Sequence, residues 1–560
     1  MTDHEHTAGV MNPAVGPSAG SAEPEQATHT PPPDSPAPPA TTNEAPSKAE
    51  SRPPEPVATE EPAPVATSPA PERARRAAEA PRAKGASIRT RRGSKGKAVL
   101  HLTPAESADR GKTERSRIGR SELGEWAQAT SRPDPIDLLE EQAASRVAEL
   151  VPIRYGRMLV SPFAFFRGSA YVMASDLAGL PRTGLHAQLC GDAHLSNFGI
   201  YAASDRRLVF SVNDFDETLP GPFEWDLKRL VASFEVAGRE SGFNAEQRRR
   251  INRTVTRSYR TAMKEFAGMD ILDEWYARLE VDQVADALRR QGRKKQLEQL
   301  DVTTAKAQSK TSLKALSKLT HLVDGEPRIV SDPPTIVAVA ELTQPGESKE
   351  LDDFLHALFR SYRQTLPGDR RVLLERFRYT DAARKVVGVG SVGTRAWIVL
   401  LLGGRSNPLF LQIKEAQASV LESFLGKSAF ASHGERVVQG QLLTQATSDI
   451  MLGWLREVGV DGVERDFYVR QLWDSKGSVD VTMMSPTGME TYAKACGWAL
   501  AKAHARSGDA IAIDSYLGSS DALDRALAGF AEVYADQNQK DYEALEAAVA
   551  SGRIVAEKGV

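Results

Sequence analysis

Cysteine is nearly missing from this 560-residue chain, Cys190 and Cys496 being the only two. Two thiols cannot build a disulfide framework, so a reducing cytoplasm is the expected setting. Long apolar runs are missing too. The longest, Ala396 to Leu402, is far too short to span a bilayer, and the opening MTDHEHTAGVMNP has neither the basic nor the apolar region of a secretory signal. No membrane span or export leader is therefore expected. Neither sign of charge dominates: the formal net charge is −3, so any basic surface must be local. Aromatic residues are absent from residues 1–72, which hold 17 of the 33 prolines among Ala, Thr, Ser and Glu. Such a segment cannot form a core and is expected to be disordered. From Glu72 to Arg120 the tail turns basic, as in RARRAAEAPRAKG and RTRRGSKGK. It reads as a solvated extension, with nucleic acid, anionic lipid or an acidic partner as the alternative; no aromatic residues are interleaved to stack on bases.

What the chain does have is concentrated between Gly191 and Leu230: GDAHLSNFGIYAASDRRLVFSVNDFDETLPGPFEWDLKRL. Asp192, His194 and Asn197 follow the strand-like LHAQLC in a tight polar loop, a usual place for catalytic groups. NFGIYA and RLVFSV are β-prone runs around the turn-like ASDR, and the resulting hairpin carries Asp214 and Asp216 back towards that loop. Converging carboxylates and a carboxamide suit magnesium on a nucleotide's phosphates, with one carboxylate left to orient or deprotonate a hydroxyl. A buried polar network or a calcium-stabilised turn is the competing reading.

The pattern G-D-x-H-x-x-N, then N-D-F-D, then W-D-L resembles the aminoglycoside phosphotransferase and choline kinase branch of the protein-kinase-like superfamily, including the spacing of five between Asp192 and Asn197. The resemblance implies ATP and magnesium as cofactors. It makes Asp192 the catalytic base with His194 in the same loop, Asn197 and Asp214 magnesium ligands with Asp216 a further candidate, and Asp226 a structural brace. Cys190 departs from the pattern, which usually has His before the Gly-Asp pair. From about residue 120 onwards the chain also resembles a large bacterial family of uncharacterised proteins, which supplies no substrate.

Around this centre, PDPIDLLEEQAASRVAELVPIRYGRM is expected to be a helix. Arg154, Arg157 and Arg167 lie near the loop in sequence, as phosphate clamps or as partners of acidic residues. LKRLVASFEVAGRESG and AEQRRRINRTVTRSYRTAMKEFAG carry the apolar spacing of packed helices in a mainly helical lobe. Lys306, Lys310, Lys314 and Lys318, each four apart, should line one helix face, either solvated or opposite an acidic ligand.

Past Pro333-Pro334 the texture changes to strands at about Val386. VVGVGSVGTRAWIVLLLGGRSNPLFLQIKEA reads as a strand, a glycine-rich turn, a strand, a hairpin and a third strand. Gly388, Gly390 and Gly393 resemble the kinase glycine-rich loop, in which backbone N–H groups approach phosphates. LQIKEA resembles the kinase third strand, with Lys414 reaching the phosphates. Glu435, 21 residues on, would hold that lysine, with Glu415 and Glu422 as rivals. An ordinary hairpin with glycines at its bends is the non-nucleotide alternative. DFYVRQLWD and SVDVTMM look like paired strands at a hinge, and ALAKAHA resembles the helix that normally precedes a kinase catalytic loop.

These parts stand in rotated order, because the glycine loop and lysine follow the catalytic loop. The expected fold is α+β, bilobal and protein-kinase-like, circularly permuted, with its new ends between the helix ending near Ser507 and the loop at Asp192. Residues 1–118 would be tail, 119–385 the catalytic-loop half, 386–486 the nucleotide-binding lobe and 487–560 helices completing the large lobe. The implied activity is phosphoryl transfer from ATP to a small-molecule acceptor. A nucleotide-binding regulatory module without turnover is the alternative.

Overall fold

The computed structural model describes residues 101–342, 348–386 (backbone alone to 356), 388–459, 462–477 and 479–559. The proline-rich tail and most of the basic segment lie outside the described residues. The fold is α+β. Strand β1 (His186–Leu189) runs into the Gly191–Asn197 turn, and β2 (Phe198–Ala202) and β3 (Leu208–Val212) then form the expected antiparallel hairpin, Phe198 opposite Val212. β4 (Leu219–Pro222) returns to pair with β1, Leu219 opposite Leu189. The pairing brings Asp214 and Asp216, which lie between β3 and β4, back to the turn that follows β1. A two-residue strand, β5 (Leu279–Glu280), extends the hairpin sheet beside β3.

Helices Phe223–Glu240, Ala245–Ala267, Pro486–Ser507 and Ala522–Ala550 pack around this centre. Their common core includes Phe198, Phe223, Leu230, Phe234, Tyr259, Tyr492, Leu500 and Phe530. Phe223–Glu240 is apolar or buried nearly all round, as the central helix of a layered bundle must be.

β6 (Thr320–Val323) and β7 (Glu326–Ile329) make a separate hairpin. The main sheet consists of β8 (Ile336–Ala338), β9 (Phe377–Lys385), β10 (Ala396–Gly403), β11 (Pro408–Ala416), β12 (Gly453–Val458) and β13 (Glu464–Gln471). It is antiparallel throughout, in the order β12-β13-β11-β10-β9-β8. The unbroken apolar run of β10 follows from burial on both faces. Val399 and Leu401 point to a core with Leu358 and Tyr362 of helix Ser348–Thr365, while Ile398, Leu400 and Leu402 point to Ala315 and Leu319 of helix Ser312–Leu319.

Several expectations need correction. The segment taken as tail up to 118 contains helix Pro104–Arg117, started by a capping box in which Thr103 and Glu106 satisfy each other's backbone N–H groups. Its low hydrophobicity hid it. The single helix expected over 133–158 is two, Pro135–Ala143 and Val151–Met158, because Pro152 has no N–H with which to carry a helical ladder back to residue 148. The lysines do not share one helix: Lys306 belongs to Lys294–Gln308 and Lys314 and Lys318 to Ser312–Leu319, with Thr311 capping the second through Lys314 N. The sheet begins before residue 386, since β8 and β9 precede it. SVDVTMM is no partner of β13: Val481–Met483 is a 3₁₀ turn, Ser478 lies outside the described residues, and the partners of β13 are β11 and β12. Finally, Val386 follows the end of a strand instead of starting one.

Candidate functional site

The turn after β1 is held from behind. Asp226, in the first turn of helix Phe223–Glu240, accepts from Cys190 N at 2.7 Å and Gly191 N at 3.0 Å. His504 Nε2 lies 3.4 Å from Asp226, and His504 Nδ1 is 2.9 Å from the Tyr259 hydroxyl. Gly191 has φ +83°, and a Cβ there would lie 2.2 Å from Glu217 O, so only glycine lets the Asp192 turn approach the Asp214–Glu217 segment this closely.

Within the turn, Asp192 Oδ1 accepts from Arg229 Nε at 2.8 Å, and Asn197 Nδ2 donates to Asp192 O at 2.9 Å. Burial raises the Asp192 carboxyl above the usual range against the pull of Arg229 and Arg167. His194 is buried, and desolvation together with Arg167 and Arg229 drives its pKa well down, so the imidazole is neutral. On the returning segment, Asp214 accepts, among the described residues, only a long 3.4 Å bond from Asp216 N. Burial, reinforced by Asp216, raises its pKa. Asp216 is the opposite case. Lys414 Nζ lies 2.5 Å from Oδ2, the Tyr468 hydroxyl donates to Oδ1 at 2.6 Å and Ser391 Oγ to Oδ2 at 3.2 Å. Burial opposes ionisation of Asp216, but Lys414 and these donors bring its pKa to about 2. Arg436, fully buried, locks the backbone from below by donating to the carbonyls of Asp216, Thr218 and Gln417.

All of this opens onto one cleft of about 530 Å³, lined by Asp192, His194, Asn197, Asp214 and Asp216 together with Arg167, Gly388, Gly390, Ser391, Lys414 and Arg470. The candidates 388–414 and 192–216 thus meet across a single space. Other candidates do not reach it. The carbonyl of Gly393 (φ +89°) accepts from Val147 N, and Gly393 does not line the cleft. Glu435 does not meet Lys414. It opens helix His433–Thr444, where its N–H bonds Ser432 Oγ, while Glu415 pairs with Arg395 and Glu422 lies near Arg436 and His433. The carboxylate against Lys414 is Asp216, because β11 delivers the ammonium directly above the β3–β4 segment. Arg154 is fully buried behind the cleft wall, donating to Gln142 Oε1 and Gly168 O, and Arg157 is half-buried outside the lining.

Among the described residues, no group of three or more His, Cys, Asp or Glu could hold a metal ion by itself. A cation here would combine the weakly bonded Asp214 carboxylate and the amide oxygen of cleft-lining Asn197 with oxygens from a ligand or water, which is the magnesium habit. The desolvated, nearly unpartnered Asp214 fits such an ion. Asp216, already holding three donors, fits it less well.

The model of a family described as uncharacterised proteins conserved in bacteria, DUF2252, matches residues 146–548. The chain belongs to that family. The matched region includes all of the cleft lining except Glu141, Gln142 and Ser145, and leaves helix Pro104–Arg117 outside. A search of the curated proteins and one of the solved structures each found no match. Among the described residues no helix is long and apolar enough to cross a membrane.

Sequence reasoning missed Arg229, Ser391, Arg436, Tyr468 and Arg470. Arg229 left a signal, since it stands three residues after Asp226 and therefore on the same side of the helix. Tyr468 became findable only once β13 was paired with β11, which sets Tyr468 opposite Lys414.

Proposed function

We propose that this protein is an ATP- and magnesium-dependent phosphotransferase with a circularly permuted kinase-like arrangement, acting on a hydroxyl of a small-molecule acceptor. The observation that carries the reading is the meeting of Lys414 and the Gly388–Ser391 segment with Asp192, Asn197 and Asp214 across one cleft. Asp192 is the group that orients the acceptor hydroxyl and takes its proton; its raised pKa gives it basicity, and Arg229 fixes its orientation. Lys414 reaches the phosphate chain, exchanging Asp216 for phosphate oxygens. Gly388 and Gly390 let backbone approach that chain. Asn197 and Asp214 would hold magnesium, which supplies charge neutralisation between the phosphoryl oxygens. Most of the rate then comes from positioning and electrostatics. A small acceptor is favoured because β4 leads from Glu217 straight into helix Phe223–Glu240, with no segment between on which to dock a protein substrate.

The engaged state of Lys414 favours one second reading, a nucleotide-binding regulatory module that does not turn over. Thermal shift and ATP consumption, with and without magnesium, across sugars, aminoglycosides, choline-like alcohols and nucleosides, separate the two. Magnesium-dependent stabilisation with acceptor-dependent consumption supports the enzyme. Stabilisation alone supports the module, and no nucleotide-dependent shift refutes both.

A further inference from the structure

Arg167 is a cation the cleft does not use. It ends helix Pro162–Gly168, which packs against the glycine segment: a Cβ on Gly390 would lie 3.4 Å from Arg167 O. Its side chain lines the cleft, yet no carboxylate comes within 4.0 Å of it among the described residues, and Nε is buried without a hydrogen-bond partner. The other cations there are committed: Lys414 to Asp216, Arg229 to Asp192, Arg470 to Gln412 and Asn213 O, and Arg146 to Val392 O. Arg167 feels the two carboxylates that matter most, Asp192 and Asp214, without closing on either. A gap is therefore left between a guanidinium fork and an acid pair.

We infer that Arg167 binds the transferring phosphoryl group, its planar fork gripping two terminal phosphate oxygens between Asp192 and Asp214. The inference rests on the phosphotransferase reading and adds to it the residue that recognises the terminal phosphate. A guanidinium suits the task because it stays charged in a partly dry site and matches the spacing of two phosphate oxygens, which an ammonium does not. Placed beside the glycine segment and in the cleft lining, it stands where the terminal phosphate of a nucleotide held by that segment would lie. In the transfer itself the bond from the terminal phosphorus to the bridging oxygen of ADP breaks. The bond to the acceptor oxygen forms, the acceptor proton goes to Asp192, and Arg167 balances negative charge on the phosphoryl oxygens throughout.

The test is calorimetric titration of the full chain, in magnesium, with ADP and with the non-hydrolysable triphosphate adenylyl imidodiphosphate. Wild type is expected to bind the triphosphate at least tenfold more tightly than ADP. In Arg167→Met that ratio falls towards one while ADP affinity stays within about twofold, and Arg167→Lys recovers only part of it. The lysine variant keeps the charge, and its unfolding midpoint shows whether the fold is retained. A wild-type ratio in both variants, or a ratio near one in the wild type, overturns the role of Arg167 and leaves the nucleotide reading standing. Failure of wild type to bind either nucleotide overturns the nucleotide reading, and this inference with it.

Discussion

Lys414→Met, Asp216→Asn and their combination measure how firmly the main sheet is tied to the segment between β3 and β4. The two charges stand 2.5 Å apart, with the lysine side chain 3% exposed and the aspartate 27%. At an effective dielectric of about 20, unit charges at that distance attract by roughly 6–7 kcal/mol. Desolvation returns several kcal/mol, so a net coupling of about 2–3 kcal/mol is expected. The acidity of Asp216 agrees: a pKa of about 2 in place of 3.8 corresponds to roughly 2–3 kcal/mol in favour of the ionised form at neutral pH. Lys414→Met leaves Asp216 with the Tyr468 and Ser391 hydroxyls and should cost about 3 kcal/mol. Asp216→Asn strands an ammonium that is almost wholly buried and should cost more, about 3–5 kcal/mol. The double variant should lose about 2–3 kcal/mol less than the sum of the single losses. Urea unfolding of all four proteins, followed by tryptophan fluorescence, reads these values, and salt should change them little because the pair is shielded. Single losses that add, with coupling under about 0.5 kcal/mol, would place the pair among ordinary surface contacts and refute the idea that it joins the two halves.

Asp192→Asn should keep nucleotide affinity within about twofold and lower acceptor-dependent ATP consumption by roughly 10²–10⁴, the usual contribution of a positioned general base; wild-type rates would make Asp192 structural. Lys228 is 1% exposed, over the Phe530 ring at 4.9 Å, and burial lowers its pKa from 10.5 to about 8. Because its folded value is the lower one, the unfolded chain holds more protons between those two pH values. Stability therefore rises with pH across that window, by up to about 3 kcal/mol. Urea midpoints taken from pH 7.5 to 10.5 should show the rise in wild type relative to Lys228→Met, and parallel curves would contradict it.

The β2–β3 hairpin was legible because its two apolar runs flank a turn of ordinary length, and β11 because its apolar run ends in Lys414. The cleft-lining positions of Asp192, Asn197, Asp214 and Lys414 all fall within those local patterns. Elements whose identity depends on distant partners were not legible. β9, FRYTDAARK, carries four charged residues and alternates poorly, and only pairing with β10 on one side and β8 on the other makes it a strand. The partner of Lys414 escaped for the same reason. A kinase-like spacing pointed to Glu435, whereas the register of β11 over the β3–β4 segment brings Asp216 to the ammonium. Charge pairs follow tertiary geometry, and sequence separation between Lys414 and Asp216 carries no trace of it.

The permuted order becomes physically reasonable at one junction. Helix Pro486–Ser507 ends against β1, where Ser507 Oγ accepts from Gln188 N at 3.0 Å, although the two are 319 positions apart in the chain. A Cβ on Gly508 would lie 2.9 Å from His186 O. A chain running from that helix directly into β1 would need only a short turn to reach Asp192, which is the order the kinase resemblance requires. This chain instead leaves the junction through helix Ala510–Leu517 and arrives at β1 from helix Ala170–Ala178, while helix Pro104–Arg117 packs on Ala510–Leu517 so closely that Gly111 has no room for a Cβ beside Ala512 O. Helix Pro104–Arg117 thus covers the chain that leaves the junction, and its Arg110 and Arg117 donate to Gly184 O and Arg182 O just ahead of β1. Permutation is tolerated where ends are near each other and the affected backbone finds new partners. The close approach of helix Pro486–Ser507 to β1 meets the first condition, so the order in which the Gly191–Asn197 turn, the glycine segment and Lys414 follow one another in this chain is compatible with one continuous cleft.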